Sequence, residues 1–191
     1  MIATPQPPYF SPEEYLQIEE KSPLKHEYIG GQLRAMVGSS QAHNTISGNL
    51  LALLRGHLRG TGCRVFISDM KVRIEQRNRF YYPDLAVTCD ERDRQTRLYL
   101  QCPKLIVEVL SDSTEAFDRG DKFEDYQTLE SLDEYVLISS KRHLVQCFRP
   151  NGEGLWVLQS YTGEQSTFQL RSLNVSGSLA ELYEDVFFDL G

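Results

Sequence analysis

Six consecutive residues, Leu105-Ile106-Val107-Glu108-Val109-Leu110, constrain this chain more than any other segment. Their length and β-branched content describe a strand covered on both faces, at the centre of a sheet rather than its edge. One member is a glutamate. A carboxylate buried alone in such a strand costs several kcal/mol unless it finds a hydrogen-bond donor, a cation or a metal. Packing alone gives no reason to place it there. A second apolar run, Leu85-Ala86-Val87, follows Tyr82-Pro83-Asp84 and carries a carboxylate at its mouth. Asp84 and Glu108 on two core strands are therefore the leading functional candidates.

The remaining pattern supplies the elements around those strands. Ser11-Pro12-Glu13-Glu14 reads as a helix start, with Ser11 as cap and Glu14 closing a capping box, and the helix ends before Pro23. Residues 26–29 and 33–37 flank Gly30-Gly31 as a hairpin. Ile46, Leu50, Leu53, Leu54 and Leu58 recur at helical spacing within a helix from about Ala42 to Leu58. Strands are expected at 65–67, 71–74, after Asp84, at 105–110 and at 134–139. A helix is expected over about 115–129, a strand meander over 144–161, and a closing helix over 179–187. Helix, hairpin, helix, strands, helix, strands describes an α/β (α+β) fold, a mixed sheet flanked by helices. The 191 residues suit one domain, 1–191.

Composition excludes some classes. No apolar stretch approaches the length needed to cross a membrane. Met1 to Phe10 is proline-rich and does not read as a secretory signal. Cys63, Cys89, Cys102 and Cys147 form no CxxC pair and are read as reduced core residues of a cytoplasmic protein. A net charge of −7 argues against unselective coating of nucleic acid. Arg73, Arg77, Arg79, Arg92, Arg94 and Arg97 fall in one third of the chain, either as a solvated edge or as a DNA-facing patch. No phosphate-binding glycine loop, HExxH or GxSxG elbow is present.

Three segments together resemble the Uma-type endonuclease family, of the restriction-endonuclease-like PD-(D/E)xK superfamily. They are Tyr82-Pro83-Asp84, Pro103 through Ser111, and Asp118-Arg119-Gly120-Asp121-Lys122-Phe123-Glu124-Asp125-Tyr126. Residues 27–33 and His43-Asn44 also resemble that family's opening hairpin and first long helix. The similarity runs from about residue 10 to residue 150. It implies a restriction-endonuclease-like fold with an N-terminal hairpin, Mg²⁺- or Mn²⁺-dependent hydrolysis of DNA phosphodiesters, and a homodimer. Asp84, Glu108 and the backbone carbonyl of Val109 would be the metal ligands. Two carboxylates completed by waters and phosphate oxygens suit Mg²⁺ chemistry.

The chain departs from the superfamily pattern at Leu110, where a lysine is expected two residues after the glutamate. Lys122, early on the following helix, is the expected substitute, and Lys104 a weaker rival. Glu27 and His43 are second-tier candidates to complete the metal shell. Asp69 is read as a family position or simply a turn. The alternative partner for Glu108 is an arginine or lysine, or a proton. Two rival functions follow: a catalytically inactive nucleic-acid-binding or interaction module on the same fold, and a hydrolase of small phosphoesters.

Overall fold

In a computed structural model that describes residues 8–188, the apolar run becomes the central strand of a six-stranded sheet. The reading of the first residues as lacking a secretory signal lies, for residues 1–7, outside the described part. The capping box forms as its residues dictate. Ser11 caps α1 (Pro12–Lys21), with Ser11 and Glu14 exchanging side-chain and backbone hydrogen bonds. Strands β1 (His26–Ile29) and β2 (Gln32–Ala35) pair through Gly30-Gly31, both at positive φ, as a two-residue hairpin of this hand requires. Helix α2 (Gln41–Leu58) follows, capped by Ser40.

The chain then lays down β3 (Arg64–Ile67), β4 (Lys71–Ile74), β5 (Arg79–Tyr81), β6 (Leu85–Thr88), β7 (Tyr99–Leu100) and β8 (Leu105–Leu110). The 90–97 segment holds one 3-10 turn, Glu91–Arg94. Two short helices, α3 (Glu115–Arg119) and α4 (Asp121–Tyr126), replace the single helix expected over 115–129. The break is Gly120, whose backbone (φ −106°, ψ −100°) leaves the helical region. Strands β9 (Glu134–Ser139), β10 (Leu144–Pro150) and β11 (Trp156–Thr162) form the expected meander. A ribbon, β12 (Thr167–Leu170) with β13 (Val175–Ser178), and one turn of helix, α5 (Leu179–Leu182), end the described fold. The closing helix is thus far shorter than the 179–187 expected, and the ribbon and β5 were not foreseen.

The six-stranded sheet has the order β11-β10-β9-β8-β6-β3, and a five-stranded sheet has the order β2-β1-β5-β4-β7. Within the larger sheet β8 runs parallel to β9 and antiparallel to β6, so the sheet is mixed. Alternation along β8 sorts its side chains. Leu105, Val107 and Val109 join Leu50, Leu54 and Phe168 in one core, under α2 and the ribbon. Ile106 and Leu110 join Val72, Tyr81, Tyr126 and Tyr135 in a second core, between the larger sheet, the smaller sheet and α4. Glu108 shares the parity of Ile106 and Leu110 and so faces that second layer. Leu110, where the sequence resemblance led to the expectation of a lysine, is only 4% exposed and is committed to packing.

The cysteine expectation needs correction. Cys63 and Cys89 form a disulfide, while Cys102 and Cys147 are free and buried. The register of β3 on β6, with Arg64 opposite Thr88, carries residues 63 and 89 face to face just beyond the strand ends. Residues 26 apart in sequence gave no local sign of this pairing. Among the described residues no helix is long and apolar enough to cross a membrane.

Candidate active site

Asp84 stands at the entry to β6, beside the C-terminal half of β8, because the two strands pair with Leu85 opposite Val107. Its Oδ2 accepts the backbone N–H of Val109 at 2.7 Å and lies 3.0 Å from Nε2 of His43, on the first turn of α2. Among the described residues, every polar contact of this carboxylate falls on Oδ2, leaving Oδ1 without a protein partner. A strand residue points its N–H and C=O to the same edge. The carbonyl of Val109 therefore faces the Asp84 side, beyond the last pair of the β6–β8 ladder.

Glu108 is 3% exposed. Its partners are distant: Nζ of Lys122 at 3.2 Å and the Tyr126 hydroxyl at 3.4 Å on Oε1, and the Asp84 N–H at 3.4 Å on Oε2. Lys122 leaves the first turn of α4 and reaches back over the sheet. Its ammonium lies 3.0 Å from Oε1 of Glu27 on β1 and 3.2 Å from Oδ1 of Asp118, one turn earlier across the Gly120 break. Three carboxylates thus surround one ammonium. Neither Glu27 Oε1 nor Asp118 Oδ1 has the geometry of a hydrogen bond, and both atoms are buried without such a partner.

The charge count explains the titration behaviour. Burial pushes the Glu108 carboxyl well above the usual range; Lys122 opposes this, and Asp118, Asp84 and Glu27 reinforce it. Burial would pull Lys122 down, but Glu108, Glu27 and Asp118 outweigh it and hold the ammonium well above its ordinary value. The cluster is short of positive charge.

Asp84, Glu108, Lys122, Glu27, His43 and Asp118 all line one cleft of about 570 Å³. The β1–β2 hairpin, the segment following β2, and the hydroxyl-rich turn Ser111–Thr114 form its sides. The turn's Ser111 hydroxyl bonds those of Ser113 and Thr114. Asp84, Glu108, Lys122, Glu27 and His43, all named from sequence, line this cleft. Asp118 was missed as a site residue. Its spacing four residues before Lys122 was visible, but on an uninterrupted exposed helix that pair reads as a surface salt bridge. Lys104 is not in the cleft and pairs with Asp133; Asp69 is exposed and pairs with Lys25. Tyr81 and Tyr82 are buried, and Trp156 packs edge-on against Phe123.

The residues fit a divalent cation without forming a closed cage. Among the described residues no three Asp, Glu, His or Cys side chains are arranged to hold a metal by themselves. Asp84 Oδ1 and the loosely held Glu108 supply two hard oxygens in a region of excess negative charge. That donor set suits Mg²⁺, which usually retains waters and takes one or two carboxylates.

Comparison with known proteins places the chain. The family model Uma2, described as "Putative restriction endonuclease", matches residues 12–180. An uncharacterized protein of Synechocystis sp. is 40% identical over 181 residues, covering 95% of each chain. A second uncharacterized Synechocystis protein is 32% identical over 164 residues, covering 85% of this chain and 93% of the relative. A crystal structure from Anabaena variabilis, described as a putative nuclease belonging to DUF820, superposes with a TM-score of 0.74 at 15% identity. It covers 91% of this chain and 97% of that one, a likeness of fold.

Proposed function

The chain belongs to the Uma2 family, and from that membership and the cleft geometry we propose that it is a Mg²⁺-dependent endodeoxyribonuclease with a relocated lysine. The observation that carries this reading is the convergence of Asp84, Glu108 and Lys122, from three separate elements, at the floor of one cleft. Asp84, Glu108 and the Val109 carbonyl would hold the cation. When bound, such a cation polarises a phosphodiester and acidifies a coordinated water.

The protein's own groups take the remaining tasks. His43 and the Val109 N–H fix Asp84 through Oδ2, so its other oxygen stays oriented. This makes His43 a positioning residue for Asp84 rather than a metal ligand. Lys122, held charged by its carboxylate neighbours, stabilises negative charge that develops on the phosphate; it does not serve as a base. Glu27 and Asp118 hold the ammonium over Glu108. Leu110 cannot perform that task, and its burial in the core explains why the cation arrives from α4.

The rival is a non-catalytic module, favoured by one observation: Lys122 is already tied to three carboxylates. Purified protein incubated with labelled DNA and Mg²⁺ or Mn²⁺ distinguishes the two. Cleavage that stops with EDTA and favours DNA over RNA of the same sequence supports the nuclease. Absence of cleavage together with absence of metal binding supports the module.

A further inference from the structure

The cleft and the arginines of this protein differ in a way that bears on the form of DNA it takes. A protein that grips duplex DNA neutralises several phosphates at once, typically about 6–10. Here most of the arginine-rich third is engaged elsewhere, and Arg97, exposed and without an ion pair among the described residues, lies outside the cleft. Arg77 and Arg79 pair with Asp125, Arg92 with Asp90 and Arg94 with Glu91, while Arg73 stacks on Phe80. None of these residues lines the cleft. The cleft's lysines and arginines among those described are Lys25, Arg34 and Lys122. Lys25 is paired with Asp69 and Lys122 is caged, so Arg34 is the one without an ion pair, lying 4.6 Å from the Phe117 ring centre.

The walls, by contrast, offer apolar surface. Leu24, before β1, is 61% exposed, and Val37, after β2, is 74% exposed; both line the cleft. With the Arg34–Phe117 pair they provide faces on which bases can pack. A paired duplex keeps its base faces stacked inside and would present phosphates, sugars and base edges, but no base face, to these walls. An unpaired strand presents base faces as well. The acidic floor is recessed as well, with the Glu108 side chain 4% exposed and Lys122 7%.

Resting on the nuclease reading above, we propose that the substrate is unpaired DNA: a single strand, flap or bubble whose bases pack on Leu24, Val37 and the Arg34–Phe117 platform. Affinity then comes chiefly from base packing and falls only gently with salt.

The test is fluorescence anisotropy of the Glu108→Gln protein with a labelled single strand and with its duplex, at low and moderate salt. The expected result is at least about tenfold tighter binding of the single strand, with a loss of under about tenfold on raising salt. A duplex grip would lose about 10³–10⁵. The double variant Leu24→Ser, Val37→Ser changes only exposed positions, adds no charge, and should weaken single-strand binding at least about fivefold by removing the apolar contact area. Equal or tighter binding of duplex overturns the inference, as does failure to bind either form or undiminished binding by the double variant. Cleavage by wild-type protein separates the two readings. Metal-dependent cutting with duplex preference leaves the nuclease standing and removes this inference. Single-strand binding without cutting does the reverse.

Discussion

Two buried glutamates stand on adjacent parallel strands and have opposite surroundings. Glu134 opens β9, opposite Leu105 in the β8–β9 register, and is fully buried. Its Oε1 meets Arg149 at 2.7 Å from Nε and 2.6 Å from Nη2; its Oε2 accepts the N–H of Ser172 at 3.0 Å and its hydroxyl at 2.7 Å. Oε1 accepts one directed hydrogen bond from Arg149 with Nη2 close beside it, Oε2 accepts two from Ser172, and the group ties the turn after β12 to the larger sheet. Glu108, three positions along the neighbouring strand from that register point, has only partners at 3.2–3.4 Å and opens on a cleft. Burial of a carboxylate is therefore not by itself a sign of function. Loose satisfaction beside other carboxylates is the distinguishing feature, because a closed set of hydrogen bonds leaves no oxygen for a ligand.

This contrast predicts different losses. Glu108→Gln should reduce metal-dependent DNA cleavage by about 10²–10³, the equivalent of about 3–4 kcal/mol of transition-state stabilisation, with the fold intact by circular dichroism. Glu134→Ala should instead lower unfolding free energy by about 3–5 kcal/mol in urea denaturation, because it strips the partly buried Arg149 of its carboxylate and Ser172 of its acceptor. If Glu134→Ala were neutral in stability and Glu108→Gln strongly destabilising, the two roles would be reversed.

A smaller effect concerns pH. The native Glu108 carboxyl titrates above its unfolded value, so in the interval between the two the native state holds more protons than the unfolded chain. Stability of the metal-free protein should fall as pH rises from the ordinary carboxylate range toward that raised value, by up to about 1.4 kcal/mol per pH unit for this one proton. Glu108→Gln should flatten the profile and stabilise the metal-free protein at neutral pH, measured by urea midpoints in EDTA. An unchanged slope in the variant would assign the titration elsewhere.

The sequence carried the strands of the site better than its depth. Asp84 and Glu108 were legible because each interrupts or borders an apolar run, and interruption of periodicity is a local signal. Lys122 was legible only through the missing lysine at Leu110 and the family resemblance. The caging by Glu27 and Asp118 was not legible, since it depends on the hairpin folding against α4 and on Gly120 breaking the helix. The disulfide and the β12–β13 ribbon were hidden for the same reason: strand register joins residues that the chain keeps apart. The ion-paired arginines likewise gave no sign of their partners, because Asp125 lies far from Arg79 in the chain.

The central claim is that the loosely held carboxylate is the one reserved for a cation. Isothermal titration of Mn²⁺ into metal-free protein, wild type beside Glu108→Gln, tests it most directly. The account predicts saturable binding by the wild type that is lost in the variant. Equal binding by the two, or none by the wild type, would contradict it.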